Sequence, residues 1–143
     1  MMLPILPIEV RGSKTSGVQG FAPSIVDEGE VFEVSVRAED SFYNRADSGV
    51  PKFSIYDGDR VVAETEENGS SIQTFNLSFS ESGPKWLRIV SQDGLIEGRF
   101  NPILVKVNPS HRIFWGDTHG HSGYAEGIGN MDYFMRFARD EAR

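Results

Sequence analysis

The sequence predicts a mainly β chain: an immunoglobulin-like antiparallel sandwich followed by a short strand–loop–helix unit of α/β type. Three observations carry this. Apolar residues recur with a period of two from about residue 18 to residue 107. Two Asp-Gly pairs, Asp57-Gly58 and Asp93-Gly94, sit between alternating runs and supply the positive φ of tight hairpins. After residue 110 the period changes, and a loop with five glycines leads into a stretch of helical spacing.

The strands follow in order. In VFEVSVRAED the residues Phe32, Val34, Val36 and Ala38 share one face, and Glu33, Ser35 and Arg37 share the other. SIQTFNLSFS repeats this, with Phe75, Leu77 and Phe79 set against Thr74, Asn76 and Ser78. Such alternation marks half-buried antiparallel strands. KFSIYDGDRVVAET and KWLRIVSQDGLIEGRF each read as two strands about their Asp-Gly pair. FYNRADSGVP reads as an irregular connection. Seven or eight short strands in about 100 residues fit a sandwich. The chain has no cysteine, so apolar packing must hold the sheets together. The expected core is Phe32, Val34, Ile55, Phe75, Leu77, Leu87, Ile89 and Val105, with Trp86 either facing it or covering its edge. This domain is expected over residues 1–110.

Residues 111–143 form the second unit. RIFW reads as a short buried strand, and GDTHGHSGYAEGIG as a loop. In NMDYFMRFARDEAR the residues Met131, Phe134, Phe137 and Ala138 fall at helical spacing. Asn130 is placed to cap this helix, and Asp132 lies in its first turn.

Composition excludes several functions. The net charge is −7 and the cations are scattered singly, which argues against a nucleic-acid surface. No apolar run approaches the ~20 residues of a membrane span. MMLPILPIEV lacks a basic start and is interrupted by Pro4 and Pro7, so no signal peptide is expected and the cytoplasm is favoured.

The candidate chemistry lies in the glycine-rich loop. Residues i and i+2 of an extended segment point to one side, so His119 and His121 can present two imidazoles to one point. Neutral imidazole suits zinc, iron, manganese and nickel. Asp117, on the same parity, is a candidate third ligand or a group that orients a histidine. His-x-His alone is a weak signal, and the bland alternative is a pair of solvated loop histidines. His111 lies at the far end of the expected strand, roughly 25 Å from His119 if the segment is extended, and reads as a solvated linker residue. Ser122 follows His121 but has no nucleophile elbow around it. GYAEGIG lacks a phosphate-loop lysine, and the acidic VDEGE and AETEEN lack calcium-loop spacing.

WGDTHGHSG, EGIG and YFMRFARDEA together resemble the first motif of the PHP (polymerase and histidinol phosphatase) superfamily. The resemblance is closest to an uncharacterised family within it, whose members carry a sandwich-like region before a GDxHxHS motif. RFNPILV is similar to the end of that region, and the specific match covers residues 100–142. The resemblance implies a seven-stranded (β/α) barrel that holds two or three metal ions and hydrolyses phosphoesters. It makes His119 and His121 first-motif ligands and residues 111–143 the first strand, metal loop and helix of that barrel. The Ser-Asp-Gly that often follows the family motif is replaced by Ala125-Glu126-Gly127, and Glu126 is assigned no metal. The later histidines, the bridging glutamate and the closing Asp-x-His have no counterpart in these 143 residues.

A metal hydrolase needs three or more protein ligands and an open position. The expectation is therefore the N-terminal part of a PHP-like hydrolase. A divalent zinc, manganese or iron would be bound in the intact protein and weakly or not at all here, with no complete catalytic set and no other cofactor site. The expected partner is the remainder of the barrel. The tail has three open outcomes: docking on the sandwich, self-association, or disorder. Two alternatives stand beside this reading: a non-catalytic sandwich that binds or packs, and an amidohydrolase-type barrel, which also begins with His-x-His after a strand.

Overall fold

The computed structural model describes residues 11–67, 69–116, 119–127 and 129–140. The chain is mainly β, with antiparallel sheets around one apolar cluster, as in a β-sandwich. The strands are β1 (Gly17–Phe21), β2 (Ile25–Asp27), β3 (Phe32–Glu39), β4 (Phe53–Asp57), β5 (Arg60–Glu64), β6 (Ile72–Leu77), β7 (Gly83–Lys85), β8 (Leu87–Ser91), β9 (Glu97–Arg99) and β10 (Ile103–Lys106), followed by helix α1 (Met131–Asp140). They form three hydrogen-bonded sheets, in the orders β1-β3-β6, β2-β10-β7 and β5-β4-β8-β9. Every pairing is antiparallel except β2 with β10.

There are more strands than the alternation predicts because three long runs are each cut in two. The cuts fall at residues 22–24, at Trp86 and at residues 100–102, where the chain passes from one sheet to another. Pro23 and Pro102 sit at two of these crossings, where a missing N–H costs no ladder bond. The Asn101 side-chain amide stitches them together: its Oδ1 accepts from Ala22 N–H and its Nδ2 donates to the Ala22 carbonyl, both at 2.9 Å.

The core follows the predicted parity. Phe32, Val34, Ile55, Leu77, Leu87, Ile89 and Val105 are buried, joined by Val26, Phe53, Phe100 and Ile103. Phe75 differs: it is half-buried and packs against the cluster from the rim. Its strand β6 has a sheet neighbour on one side only. Ser35, expected outward, is buried because it pairs with Phe21, whose ring lies under Arg37 at 5.7 Å. In the first hairpin Asp57 pairs with Arg60, so Gly58-Asp59 is the central pair. Gly58 takes a φ of 61° there, the conformation of a II′ turn.

The irregular connection after β3 is organised by Asp40. Its carboxylate accepts from the backbone N–H groups of Ser13, Phe42 and Asn44 and from the Asn44 amide. Burial pushes the carboxyl pKa up, but these hydrogen bonds outweigh it and bring it down to about 2. The same connection inserts Ala46 into the core.

Candidate metal centre

The segment before the loop departs from expectation. Residues 111–116 form no strand, and Ile113, Phe114 and Trp115 are exposed. A lone extended segment with no neighbouring strand has nothing to satisfy its backbone. Side chains fasten it to the sandwich instead. Arg112 forms a two-pronged ion pair with Glu30, and Trp115 Nε1 donates to Ser24 Oγ at 2.8 Å. Asn108 N–H donates to Asp27 Oδ1 at 2.8 Å, which fixes the direction in which the chain leaves β10. His111 is exposed, with its Nδ1 2.8 Å from Ser110 Oγ, as a solvated linker residue would be.

His119 and His121 come together. Their Nε2 atoms lie 2.5 Å apart, with ring centroids 4.6 Å apart and planes tilted by 49°. The two nitrogens face each other at hydrogen-bonding distance. Tetrahedral binding with metal–nitrogen bonds near 2.0–2.1 Å separates two ligand nitrogens by about 3.3 Å, so the rings need open by less than about 1 Å to serve as a ligand pair. Glu126 Oε2 stands 3.9 Å from His121 Nδ1. That separation is longer than a hydrogen bond, and the Glu126 side chain is exposed, so the carboxylate stands near Nδ1 without bonding it. Asp117, the third expected ligand, lies outside the described residues. Among the described residues no group of three or more metal-binding side chains forms.

Ser122 holds the loop in shape. It is the one buried residue among the described positions of the loop. Its carbonyl accepts from Ala125 and Gly127, and its Oγ accepts from Tyr124 N–H. Its role is therefore a turn anchor rather than a nucleophile. A Cβ at Gly127 would stand 2.2 Å from the His121 carbonyl oxygen, so the loop closes behind the histidines only with glycine there. Helix α1 starts as the sequence predicts: Asn130 Oδ1 accepts from Tyr133 N–H at 2.8 Å. The ring of Phe134 packs over Gly120, between the two histidines, where a Cβ would meet it at 2.2 Å. Every other described side chain of the helix is exposed, so α1 rests on the loop and not on the sandwich.

A second feature escaped the sequence reading. A groove of about 910 Å³ lies between the sandwich and residues 112–115, and both tryptophans line it. Trp86 shares the parity of exposed Arg88, opposite to that of buried Leu87 and Ile89, and that parity was the signal available for its exposure.

No known family profile matches the chain. Its relatives include uncharacterised proteins of Chlamydia muridarum, 28% identical over 147 residues, and of Chlamydia trachomatis, 27% identical over 144 residues. Each match covers 96% of this chain, which spans 23% of the relative's length. Among solved structures, the chain is similar to a superoxide reductase (neelaredoxin) of Ignicoccus hospitalis and to the sulfur carrier protein SoxY of Chlorobium limicola. The first is 19% identical, with 64% of this chain and 82% of that one covered and a TM-score of 0.45. The second is 17% identical, with 69% and 87% covered and a TM-score of 0.46. Likeness at this level carries no functional argument. Among the described residues no helix is long and apolar enough to cross a membrane.

Proposed function

We propose that this chain is the N-terminal part of a PHP-like metal-dependent hydrolase, with an immunoglobulin-like accessory sandwich leading into the first metal loop and helix of a (β/α) barrel. The observation that carries the reading is the convergence of His119 and His121 through Nε2, with Glu126 on the Nδ1 side of His121. The curated relatives support it indirectly, because each extends well beyond the stretch that this chain matches. That extra length is room for the ligands a complete site needs.

On this reading His119 and His121 donate two neutral nitrogens to a zinc, manganese or iron ion, and Asp117 adds an oxygen or orients a histidine. A bound divalent ion supplies Lewis acidity, which polarises a phosphoester and acidifies water. Glu126, on closing from 3.9 Å to hydrogen-bonding distance, holds the proton on His121 Nδ1, and Ser122 and Phe134 keep the loop from splaying. The remainder of the barrel is the partner that completes the site, so the 143-residue chain alone has no hydrolase activity.

The test is hydrolysis of p-nitrophenyl phosphate and bis-p-nitrophenyl phosphate by a full-length relative loaded with manganese or zinc. Phosphoester turnover that disappears when the first-motif histidines are replaced supports the reading. Turnover of cyclic amides in its place moves the protein to the amidohydrolase type. Phosphoester turnover that survives loss of both histidines refutes the assignment of the site.

A further inference from the structure

The groove beside the linker has a chemical character of its own. Both tryptophans of the chain line it, and they are 67% and 81% exposed. Phe114 adds a third ring, also largely exposed. Large exposed rings gathered in one concavity and edged by polar groups mark ligand sites rather than ordinary surface. The charged lining consists of Arg99 and Arg112 with no carboxylate, although the whole chain carries a net charge of −7. Arg112 is neutralised by Glu30. Arg99 is not: among the described residues its guanidinium makes no ion pair or side-chain hydrogen bond.

Arg99 also has a cation for its neighbour. It sits directly across from Arg88 in the β8–β9 pairing, and the Arg88 guanidinium lies 5.2 Å from the Tyr56 ring centre with no carboxylate partner among the described residues. Like charges placed directly opposite on a sheet destabilise it. The Arg88 guanidinium is turned toward β4, so Arg99 is the cation left facing the groove, and a phosphate monoester, which carries about −1.5 to −2 at neutral pH, is a matching partner for it. Guanidinium and phosphate also match in hydrogen-bonding geometry.

We propose that this groove binds a small organic phosphate, with its ring against Trp86 and Trp115 and its phosphate on Arg99. No group of the histidine pair enters the site, so the inference stands apart from the hydrolase reading. The ring is either a planar base, as in a nucleotide, or a saturated sugar; the shared chemistry is a ring joined to a phosphate dianion.

The two tryptophans give two indole N–H signals in the nitrogen–proton NMR spectrum of the full chain, and both report on the groove. Titration uses adenosine monophosphate, glucose 6-phosphate, adenosine and inorganic phosphate. The expected result is that one or both organic phosphates shift the two indole signals at millimolar or lower concentration. Adenosine monophosphate acting alone identifies a planar base, and glucose 6-phosphate acting alone identifies a sugar. Arg99→Gln and Trp86→Ala, both at exposed positions, should each weaken binding about tenfold, the first through loss of one charge-assisted contact and the second through loss of ring stacking. No shift with either organic phosphate overturns the proposal, as does equal binding of adenosine or inorganic phosphate, or unchanged affinity in Arg99→Gln.

Discussion

Arg112 grips Glu30 with both terminal guanidinium nitrogens, each 2.8 Å from a different carboxylate oxygen. The two residues are 82 positions apart, and their pairing fastens the linker to the turn after β2. Glu30 also accepts from Asp27 N–H, and Asp27 in turn accepts from Asn108. The route from sandwich to histidine loop is thus set by three linked polar contacts rather than by a buried strand.

Glu30→Gln should free that route. The pair is partly exposed, so overall melting should change little. Backbone NMR order parameters of residues 111–116 should fall while those of β3 and β8 stay constant. The hydrogen bond from Arg112 and that from Asp27 N–H hold the Glu30 carboxyl below its ordinary range. The clamp is therefore present above the usual glutamate range and is lost as pH falls through the lowered value. The order parameters of 111–116 should follow that acid limb in the native chain and be flat in Glu30→Gln.

Asp40 should set a second acid limb, in the sandwich itself. Its folded pKa of about 2 lies below the unfolded value, so its contribution is complete above the ordinary aspartate range and lost as pH falls toward 2. Asp40→Ala should lower the melting temperature clearly at pH 7 and much less at pH 2. An equal loss at both pH values would show that the carboxylate charge is not what organises the connection.

Gly98→Ala should destabilise the sandwich. A Cβ there would stand 2.0 Å from the Val18 carbonyl oxygen, so β1 and β9 must separate to admit it. Forcing an extra methyl into a packed contact costs roughly 1–3 kcal/mol. For comparison, Ile89→Ala in the centre of the core should cost about 2–5 kcal/mol. Urea unfolding of the two variants checks both values, and a neutral Gly98→Ala would contradict the close packing of β1 on β9.

The sandwich was legible in the sequence because parity decides burial along a strand. Val34, Ile55, Ile89 and Val105 needed only their place in an alternating run, and Asn130 needed only its place before an amphipathic stretch. What parity could not show is where a run changes sheet. The crossings at residues 22–24, Trp86 and 100–102 depend on contacts between distant segments, such as Asn101 with Ala22. RIFW was misread for the same reason: its apolar residues describe a strand only if a neighbour exists to pair with it. The histidine pair was legible through its i, i+2 spacing. Glu126 beside His121 was not, because a turn built on Ser122 brings it there.

Zinc titration of the chain, followed by the ring-proton NMR signals of His119 and His121, tests the central claim most directly. The account predicts that both histidines respond together at one site. Two imidazoles on a loop must be ordered on binding, so affinity should fall in the roughly micromolar to sub-millimolar range. Binding should vanish in His119→Ala and weaken in Glu126→Gln, with the melting of the sandwich unchanged. Zinc binding that persists in the double His119→Ala/His121→Ala variant, or signals of the two histidines that respond independently, would contradict it.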